Sequence, residues 1–157
     1  MEQKYTFFWN GPFSNWYHSP FEYKGKQFEN SEAAFMVCKA ELFGDDLIAK
    51  QIIKNQNPRT VKALGRKVNN FDGEIWDKHK FNIMFEVCLE KFKQHEGCKK
   101  AILEANGKFV EASPYDKVWG IEMAEGELGI EDPKNWKGQN LLGLVLDKVK
   151  ENILALQ

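Results

Sequence analysis

The sequence predicts a single helix-dominated α+β domain with a small β-sheet, extending over residues 1–157. Apolar residues recur at helical spacing in several long segments, whereas the strand candidates are few and short. A chain of this length can bury one continuous core, and neither an internal repeat nor a linker-like change of composition divides it. We expect the sheet to be built from residues near the two ends of the chain.

The first part of the chain predicts two strand segments followed by a helix. Residues 4–9 are a short strand candidate, and residues 21–29 alternate apolar and polar side chains on both sides of a central Lys-Gly, as a β-hairpin does. Asn30 or Ser31 then offers an N-cap for a helix that runs to about Phe43 and ends at the following glycine. A hairpin is therefore expected directly before the first helix.

Polar caps also mark the next helices. Asp45 or Asp46 precedes a second helical segment, and Asn57-Pro58 begins a third with proline at the first helical position. The strongest periodic element covers about 76–94. Its apolar stripe consists of Phe81, Met84, Phe85, Cys88, Leu89 and Phe92.

The last third of the chain predicts one strand between two helices. A short helix covers about 98–105, and residues 108–113 form a strand candidate. Residues 113–140 are rich in glycine and proline and are expected to form a loop. A final amphipathic helix begins at about Gln139.

Charge, apolar runs and cysteine usage limit the possible classes of function. Lys and Arg number 22 against 23 Asp and Glu, so no basic excess draws the chain to nucleic acid non-specifically. No apolar run approaches membrane-spanning length, and the N-terminus lacks the pattern of a signal peptide. Three cysteines without a Cys-x-x-Cys pair indicate reduced thiols. We expect a cytoplasmic protein without membrane contact, metal site or cofactor.

The segment NSEAAFMVCKA, residues 30–40, places two charged side chains in an otherwise apolar stretch. Glu32 and Lys39 share one helix face and lie two turns apart, roughly 10 Å along the axis at 1.5 Å per residue. This separation suits two groups that flank a small ligand. The alternative is structural, with Glu32 stabilising the helix N-terminus and Lys39 extending to solvent. The helix pattern alone favours this structural alternative.

A second candidate segment is VEASPYDKVWGIE, residues 110–122, where Asp116 and Trp119 follow a strand candidate. Loops anchored on a rigid strand commonly carry functional sites. A carboxylate three residues from an indole suits the binding of a planar base. The alternative is a turn-forming aspartate beside a tryptophan that fills the core, and the segment by itself favours neither.

Two further segments contain candidate binding groups. The loop NGPFSNWYHSPF, residues 10–21, carries Phe13 among several rings, most of which must pack, and Asn15 can offer a donor and an acceptor to a ligand. Arg66 lies in the helical segment KALGRK, and its guanidinium matches phosphate oxygens in geometry. Each signal is weak alone, because loop and helix residues of these types are often solvated.

Taken together, these stretches resemble the NADAR or YbiA-like family. The matching motifs occur in the family's order, span about residues 7–150 and together form a specific signal. They are PFSNW (12–16), NSEAAFMVCKA (30–40), LGRKV (64–68), IWD (75–77), KFVEASPYDKVWGI (108–121) and WKGQNLLG (136–143). Another branch of the family has an aspartate in place of Ile121, so no catalytic role is carried over to that position.

The resemblance implies an N-glycosidase, which hydrolyses the bond between a ribose C1 and a nitrogen of a base. The substrates implied are ADP-ribosylated guanine, free or in DNA or RNA, or phosphoribosylated intermediates of riboflavin biosynthesis. By motif, Glu32 lies where the family has an essential carboxylate, and Trp76 and Trp119 lie where it has pocket tryptophans. Three further residues fall within its motifs: Lys39, Arg66 and Asp116.

The resemblance and the chemistry of the reaction together assign expected roles. Glu32 would stabilise the positive charge that develops on the ribose and would orient or deprotonate the attacking water. Lys39 or a protonated Asp116 would donate a proton or hydrogen bond to the departing base. The expected substrate-binding residues are Phe13, Asn15, Arg66, Trp76 and Trp119.

Three alternatives remain open at this point. Lys39 could attack C1 covalently after ring opening to an imine, although direct hydrolysis is mildly preferred. The chain could instead be a non-catalytic module that binds ADP-ribose or a related nucleotide. A sequence-neutral nucleic-acid binder is the third alternative, and the balanced charge and the acidic loop over 122–132 argue against it.

Overall fold

The computed structural model of the protein describes residues 3–157, so the first two residues of the predicted domain lie outside it. The strands are Tyr5–Phe8 (β1), Phe21–Tyr23 (β2), Lys26–Phe28 (β3) and Lys108–Glu111 (β4). The α-helices are Ser31–Leu42 (α1), Asp46–Lys54 (α2), Pro58–Gly65 (α3), Gly73–Gln94 (α4), Glu96–Glu104 (α5) and Leu141–Ala155 (α6). The predicted helix-dominated α+β class is confirmed.

The strands of residues 3–157 form two separate two-stranded sheets. β1 pairs in parallel with β4, so that Tyr5 lies opposite Lys108 and Phe8 opposite Glu111. β2 and β3 form the predicted antiparallel hairpin, and Lys24 and Gly25 turn between them with φ of 51° and 79°. The hairpin does not join β1 and β4, so the single sheet expected from the two ends of the chain corresponds to the β1–β4 pair alone.

The predicted caps set the starts of the first three helices. Asn30 Oδ1 accepts a hydrogen bond from Ala33 N at the start of α1, and Asp45 Oδ1 accepts one from Ile48 N at the start of α2. Asn57 caps α3, which has proline at its first position. Each cap satisfies a backbone N–H that has no partner within its own helix.

α4 starts three residues earlier than the predicted boundary at 76, because Asp72 supplies a cap. Its Oδ1 accepts hydrogen bonds from Glu74 N and Ile75 N. Trp76 therefore lies in the first turn of α4. None of the helices within residues 3–157 is long and apolar enough to cross a membrane.

α1 lies at the centre of the fold and is buried on more than one face. Phe35 packs into a core that includes β1, β4, α4, α5 and α6, whereas Ala33, Ala34 and Val37 pack into a second core with the hairpin, α2 and α3. The small alanines allow neighbouring elements to approach the helix closely. This central position explains why Glu32, in the first turn of α1, is only 9% exposed.

The loop over 112–140 is tied to β4 and to α6. Ile121 N donates to the carbonyl oxygen of Glu111 at 3.0 Å, and Leu142 N donates to the carbonyl oxygen of Trp119 at 3.1 Å. A Cβ atom at Gly120 would lie 2.9 Å from the same Glu111 oxygen and 3.0 Å from the Asp116 carbonyl oxygen, so the loop needs glycine there. These contacts fix residues 116–119 beside the N-terminus of α1.

Candidate active site

A cavity of about 570 Å³ opens between the N-terminus of α1, α3 and the loop that follows β4. Its walls combine the carboxyl groups of Glu32, Glu111 and Asp116 with the exposed cations Lys62 and Arg66. Three tryptophans contribute to the same lining: Trp9, Trp16 and Trp119. The cavity therefore brings acidic, cationic and flat aromatic surfaces together.

Glu32 enters this cavity from the first turn of α1. Its Oε2 accepts a hydrogen bond from the indole N–H of Trp16 at 3.2 Å, and its backbone N–H donates to the carbonyl oxygen of Asn15 at 3.0 Å. Burial raises the pKa of this carboxyl to about 7. The hydrogen bond from Trp16 and the positive charges of Lys62 and Lys39 oppose that rise. Glu32 thus titrates near neutral pH while exposed to the cavity.

Asn15 holds the loop over 10–21 against α1. Its Oδ1 accepts a hydrogen bond from the hydroxyl of Ser31 at 2.8 Å. The fully buried ammonium of Lys91 donates to the carbonyl oxygen of Ser14 at 3.0 Å, which anchors the same loop to α4. Because these bonds fix the loop, the Trp16 indole is positioned beside Glu32.

The sequence left open whether Asp116 forms a turn or belongs to a site. In the structure it does both, because it forms a turn and lines the cavity. Its Oδ1 accepts hydrogen bonds from the backbone N–H groups of Val118 and Trp119 at 2.9 and 2.8 Å. The Trp119 ring lies edge-on to Phe35, with ring centroids 5.3 Å apart. Trp119 is therefore braced on one side by the core and lines the cavity on the other.

Five of the predicted site residues line the cavity, namely Glu32, Asn15, Arg66, Asp116 and Trp119. Arg66 follows directly after α3, one helical turn beyond Lys62, so that both cations face the same opening. This i, i+4 spacing follows from the helical repeat.

Lys39, Trp76 and Phe13 are not brought into the cavity wall. The ammonium of Lys39 donates to the carbonyl oxygen of Gly65 at 2.9 Å and lies over the Trp76 ring, 5.6 Å from its centroid. Burial lowers the pKa of Lys39. Trp76 in turn packs on Phe35 with centroids 5.1 Å apart, behind the cavity wall.

Phe13 lies in the core between the sheet and α4. Its ring contacts those of Phe8, Phe92 and Phe109, with centroid distances of 5.6, 6.2 and 4.9 Å. In this position Phe13 fixes the start of the loop that carries Asn15, and it does not line the cavity.

Glu111 and Lys62 are cavity residues that the sequence analysis did not single out. Oε2 of Glu111 is buried and has no hydrogen-bond partner among residues 3–157. Burial and the negative charges of Asp116 and Glu32 raise the pKa of Glu111 to about 8, against the opposing charge of Lys62. A carboxylate within the apolar stretch FVEA, and a lysine four residues before Arg66, were the signals available in the sequence.

Within residues 3–157, no three His, Cys, Asp or Glu side chains are grouped so that they could hold a metal ion. Glu32, Glu111 and Asp116 share the cavity without forming such a group.

Comparison with known proteins places this geometry in a family context. The family described as NADAR domain matches residues 7–154. Protein irg-1 of Caenorhabditis elegans is 41% identical over 162 residues, which cover 92% of this chain and 76% of that protein. N-glycosidase R617 of Acanthamoeba polyphaga mimivirus is 43% identical over 146 residues, which cover 88% and 85% of the two chains.

A solved structure has the same fold. The NMR structure of the E. coli protein YbiA aligns with a TM-score of 0.79 and 25% sequence identity. The alignment covers 99% of this chain and 88% of that chain.

Proposed function

Because the chain belongs to the NADAR domain family, we propose that it is an N-glycosidase that hydrolyses the bond between a ribose C1 and a base nitrogen. Relatives that match it over most of its length carry the name N-glycosidase. The substrates proposed are ADP-ribosylated guanine, free or in nucleic acid, or phosphoribosylated intermediates of riboflavin biosynthesis.

The observation that carries the proposal is the buried carboxyl of Glu32 in the wall of an aromatic-lined cavity. Departure of a base nitrogen leaves positive charge on the ribose ring. A fixed carboxylate beside C1 stabilises this charge without reorganisation, which is commonly the largest catalytic contribution. Since the pKa of Glu32 is about 7, the same group can also accept a proton from the attacking water near neutral pH.

The cavity offers separate surfaces for the base and for phosphate. Trp119 presents a flat ring on which a base can stack, and such stacking contributes about 1–3 kcal/mol. Arg66 and Lys62 supply two cations for a phosphate group, which both proposed substrate classes contain. Asp116 fixes the loop that carries Trp119, and Asn15 fixes the loop that carries Trp16 beside Glu32.

Lys39 supports the site from behind the wall in this proposal. Its positive charge lowers the pKa of Glu32 and so favours the ionised carboxylate. The covalent imine route would require the ammonium to leave the Gly65 carbonyl oxygen, to which it is bonded at 2.9 Å. A borohydride-trapped mass adduct on Lys39 would establish that route and reject direct hydrolysis.

The acidic loop contributes none of the residues that line the cavity. Its carboxylates at Glu122, Glu125, Glu127, Glu131 and Asp132 are absent from the cavity lining. Modified guanine within a strand therefore remains part of the proposal alongside free nucleotides.

The test offers purified protein both substrate classes and measures released base and ribose product by mass spectrometry. We expect the wild type to release base from at least one class. Glu32→Gln should reduce that rate by orders of magnitude, whereas the exposed-loop control Glu125→Gln should match the wild type. Folded wild-type protein that releases base from neither class would reject the proposed function.

A further inference from the structure

We propose that Glu111 is a second catalytic carboxyl group of this cavity, which holds a proton and delivers it to the nitrogen of the departing base. The inference rests on the proposed N-glycosidase function and adds the residue that completes its acid–base chemistry. The proton donor is then a side chain of the β1–β4 sheet, whereas the sequence predicts Lys39 or Asp116 in that role.

The backbone of Glu111 is fixed, so that its side chain has a defined direction. Its N–H donates to Oδ1 of Asn140 at 2.9 Å, and its carbonyl oxygen accepts a hydrogen bond from Ile121 N at 3.0 Å. Asn140 is itself held by a bond from its Nδ2 to the carbonyl oxygen of Phe109 at 3.0 Å. Glu111, at the end of β4, consequently has a fixed place in the cavity wall.

One oxygen of this carboxyl has no partner. Oε2 of Glu111 is buried and receives no hydrogen bond from any group within residues 3–157. A buried anionic oxygen without a donor is strongly disfavoured, whereas a protonated carboxyl is neutral and can itself donate to a ligand. The geometry therefore favours the acid form of this carboxyl, which belongs to a residue of the cavity wall.

The charged neighbours of Glu111 distinguish it from Glu32. Glu32 on α1 and Asp116 on the loop disfavour a further negative charge, and Lys62 on α3 favours one. Glu32 has the Trp16 N–H to stabilise its anion, and Glu111 has no equivalent donor. The pKa of Glu111 is accordingly about 8 and that of Glu32 about 7. The carboxyl bonded to Trp16 is suited to the base role and the carboxyl without a donor to the acid role, so the two groups can divide these roles.

With these two roles, every proton transferred in the reaction has a donor and an acceptor. The C1–N bond breaks, its electron pair goes to the base nitrogen, and the proton of Glu111 transfers to that nitrogen. A water oxygen forms the new bond to C1, and its proton transfers to the carboxylate of Glu32. Exchange with solvent returns the proton from Glu32 and restores the one on Glu111. The net reaction consumes one water and requires no other reactant.

The two donors suggested by the sequence are already occupied. The ammonium of Lys39 bonds to the Gly65 carbonyl oxygen outside the cavity wall. Oδ1 of Asp116 accepts two backbone N–H groups and so is occupied by the turn that it forms. Glu111 is thus the remaining acidic group of the wall with a buried oxygen that is free to hold a proton.

The test compares pH profiles of kcat/KM for wild type, Glu111→Gln and the control Glu125→Gln. We expect the wild type to lose activity below about pH 7 and again above about pH 8, following Glu32 and Glu111. Glu111→Gln should lower kcat by about 10²–10⁴-fold, remove the alkaline limb and retain the acid limb. Its affinity for the released ribose product should remain near that of wild type.

A second variant and a spectroscopic measurement cover a failure of Glu111→Gln to fold. Glu111→Asp keeps an exchangeable proton, so it should retain an alkaline limb at reduced kcat. Infrared difference spectra of wild type should show a protonated carboxyl component that titrates near pH 8 and that Glu111→Gln lacks, beside the component of Glu32, titrating near pH 7, that both proteins keep.

The outcomes separate this inference from the proposed function. Three results would overturn the inference: a near wild-type kcat in folded Glu111→Gln, an alkaline limb that persists in that variant, or no such infrared band. The proposed function would still stand if Glu32→Gln abolished turnover. Absence of turnover in the wild type itself would reject the proposed function, and the inference with it.

Discussion

The unpartnered carboxyl of Glu111 makes a prediction about stability that needs no substrate. Its pKa rises from 4.5 to about 8 on folding, chiefly because burial disfavours the charged form. The folded state therefore binds this proton more tightly than the unfolded state does. Consequently, the group lowers the free energy of unfolding increasingly as pH rises from about 4.5 to about 8, and the loss is complete above that range.

The magnitude follows from the two pKa values. The loss is about 1.4 kcal/mol at pH 5.5 and about 4.6 kcal/mol at pH 8.5, since each pKa unit corresponds to about 1.4 kcal/mol. Glu111→Gln removes the titration and leaves a group of the same shape. The stability of the variant relative to wild type should therefore increase by about 3 kcal/mol between the two pH values.

Urea unfolding at pH 5.5 and 8.5 measures this difference for wild type, Glu111→Gln and the exposed control Glu125→Gln. If the new amide changes the free energy of unfolding by an amount that does not depend on pH, that amount is the same at both pH values and cancels in the comparison. The control should follow wild type within about 0.5 kcal/mol. If Glu111→Gln and wild type changed stability in parallel, Glu111 would have an ordinary pKa and its buried oxygen would be misassigned.

Four further outcomes are expected. Trp16→Phe removes the N–H bonded to Glu32, so the acid limb of the kcat/KM profile should move to higher pH. An unchanged limb would show that this hydrogen bond does not stabilise the Glu32 anion. Arg66→Ala should raise KM about 10–100-fold for a phosphorylated substrate and leave its dephosphorylated analogue unaffected, because a charge-assisted bond contributes about 1.5–3 kcal/mol. Gly143→Ala directs a methyl group at the carbonyl oxygen of Phe109 and should lower the free energy of unfolding by about 1–3 kcal/mol in urea. EDTA should leave the turnover rate unchanged, since the sequence has no metal-ligand spacing, and a lost rate restored by one metal would contradict this.

Local patterns in the sequence predicted the elements well because their causes are local. The caps at Asn30, Asp45 and Asn57 lie where the polar residues precede apolar periodicity. The predicted start of α4 lies three residues too late because apolar periodicity begins after the first turn, whereas Asp72 sets the boundary. Caps and periodicity both act within a few residues, which is the range that a pattern can cover.

The composition of the site was less accessible from the sequence. Glu111 lies 79 positions after Glu32, and only the β1–β4 pairing and the central position of α1 bring the two carboxyls to one cavity. Lys39 does share a helix face with Glu32, but its long side chain turns to the Gly65 carbonyl oxygen. Helical spacing fixes the direction of a Cβ atom, and packing decides where a flexible side chain ends.

The most direct test of the central claim compares wild type with Glu32→Gln on one phosphorylated ribosyl-base substrate, measuring turnover and ligand affinity on the same samples. Loss of the carboxylate should abolish most of the base release and leave the dissociation constant within a few-fold, because binding depends on the aromatic and cationic walls. Equal turnover in the two proteins would contradict a role for this carboxyl in the chemistry. Tight binding without turnover in the wild type would identify a nucleotide-binding module instead.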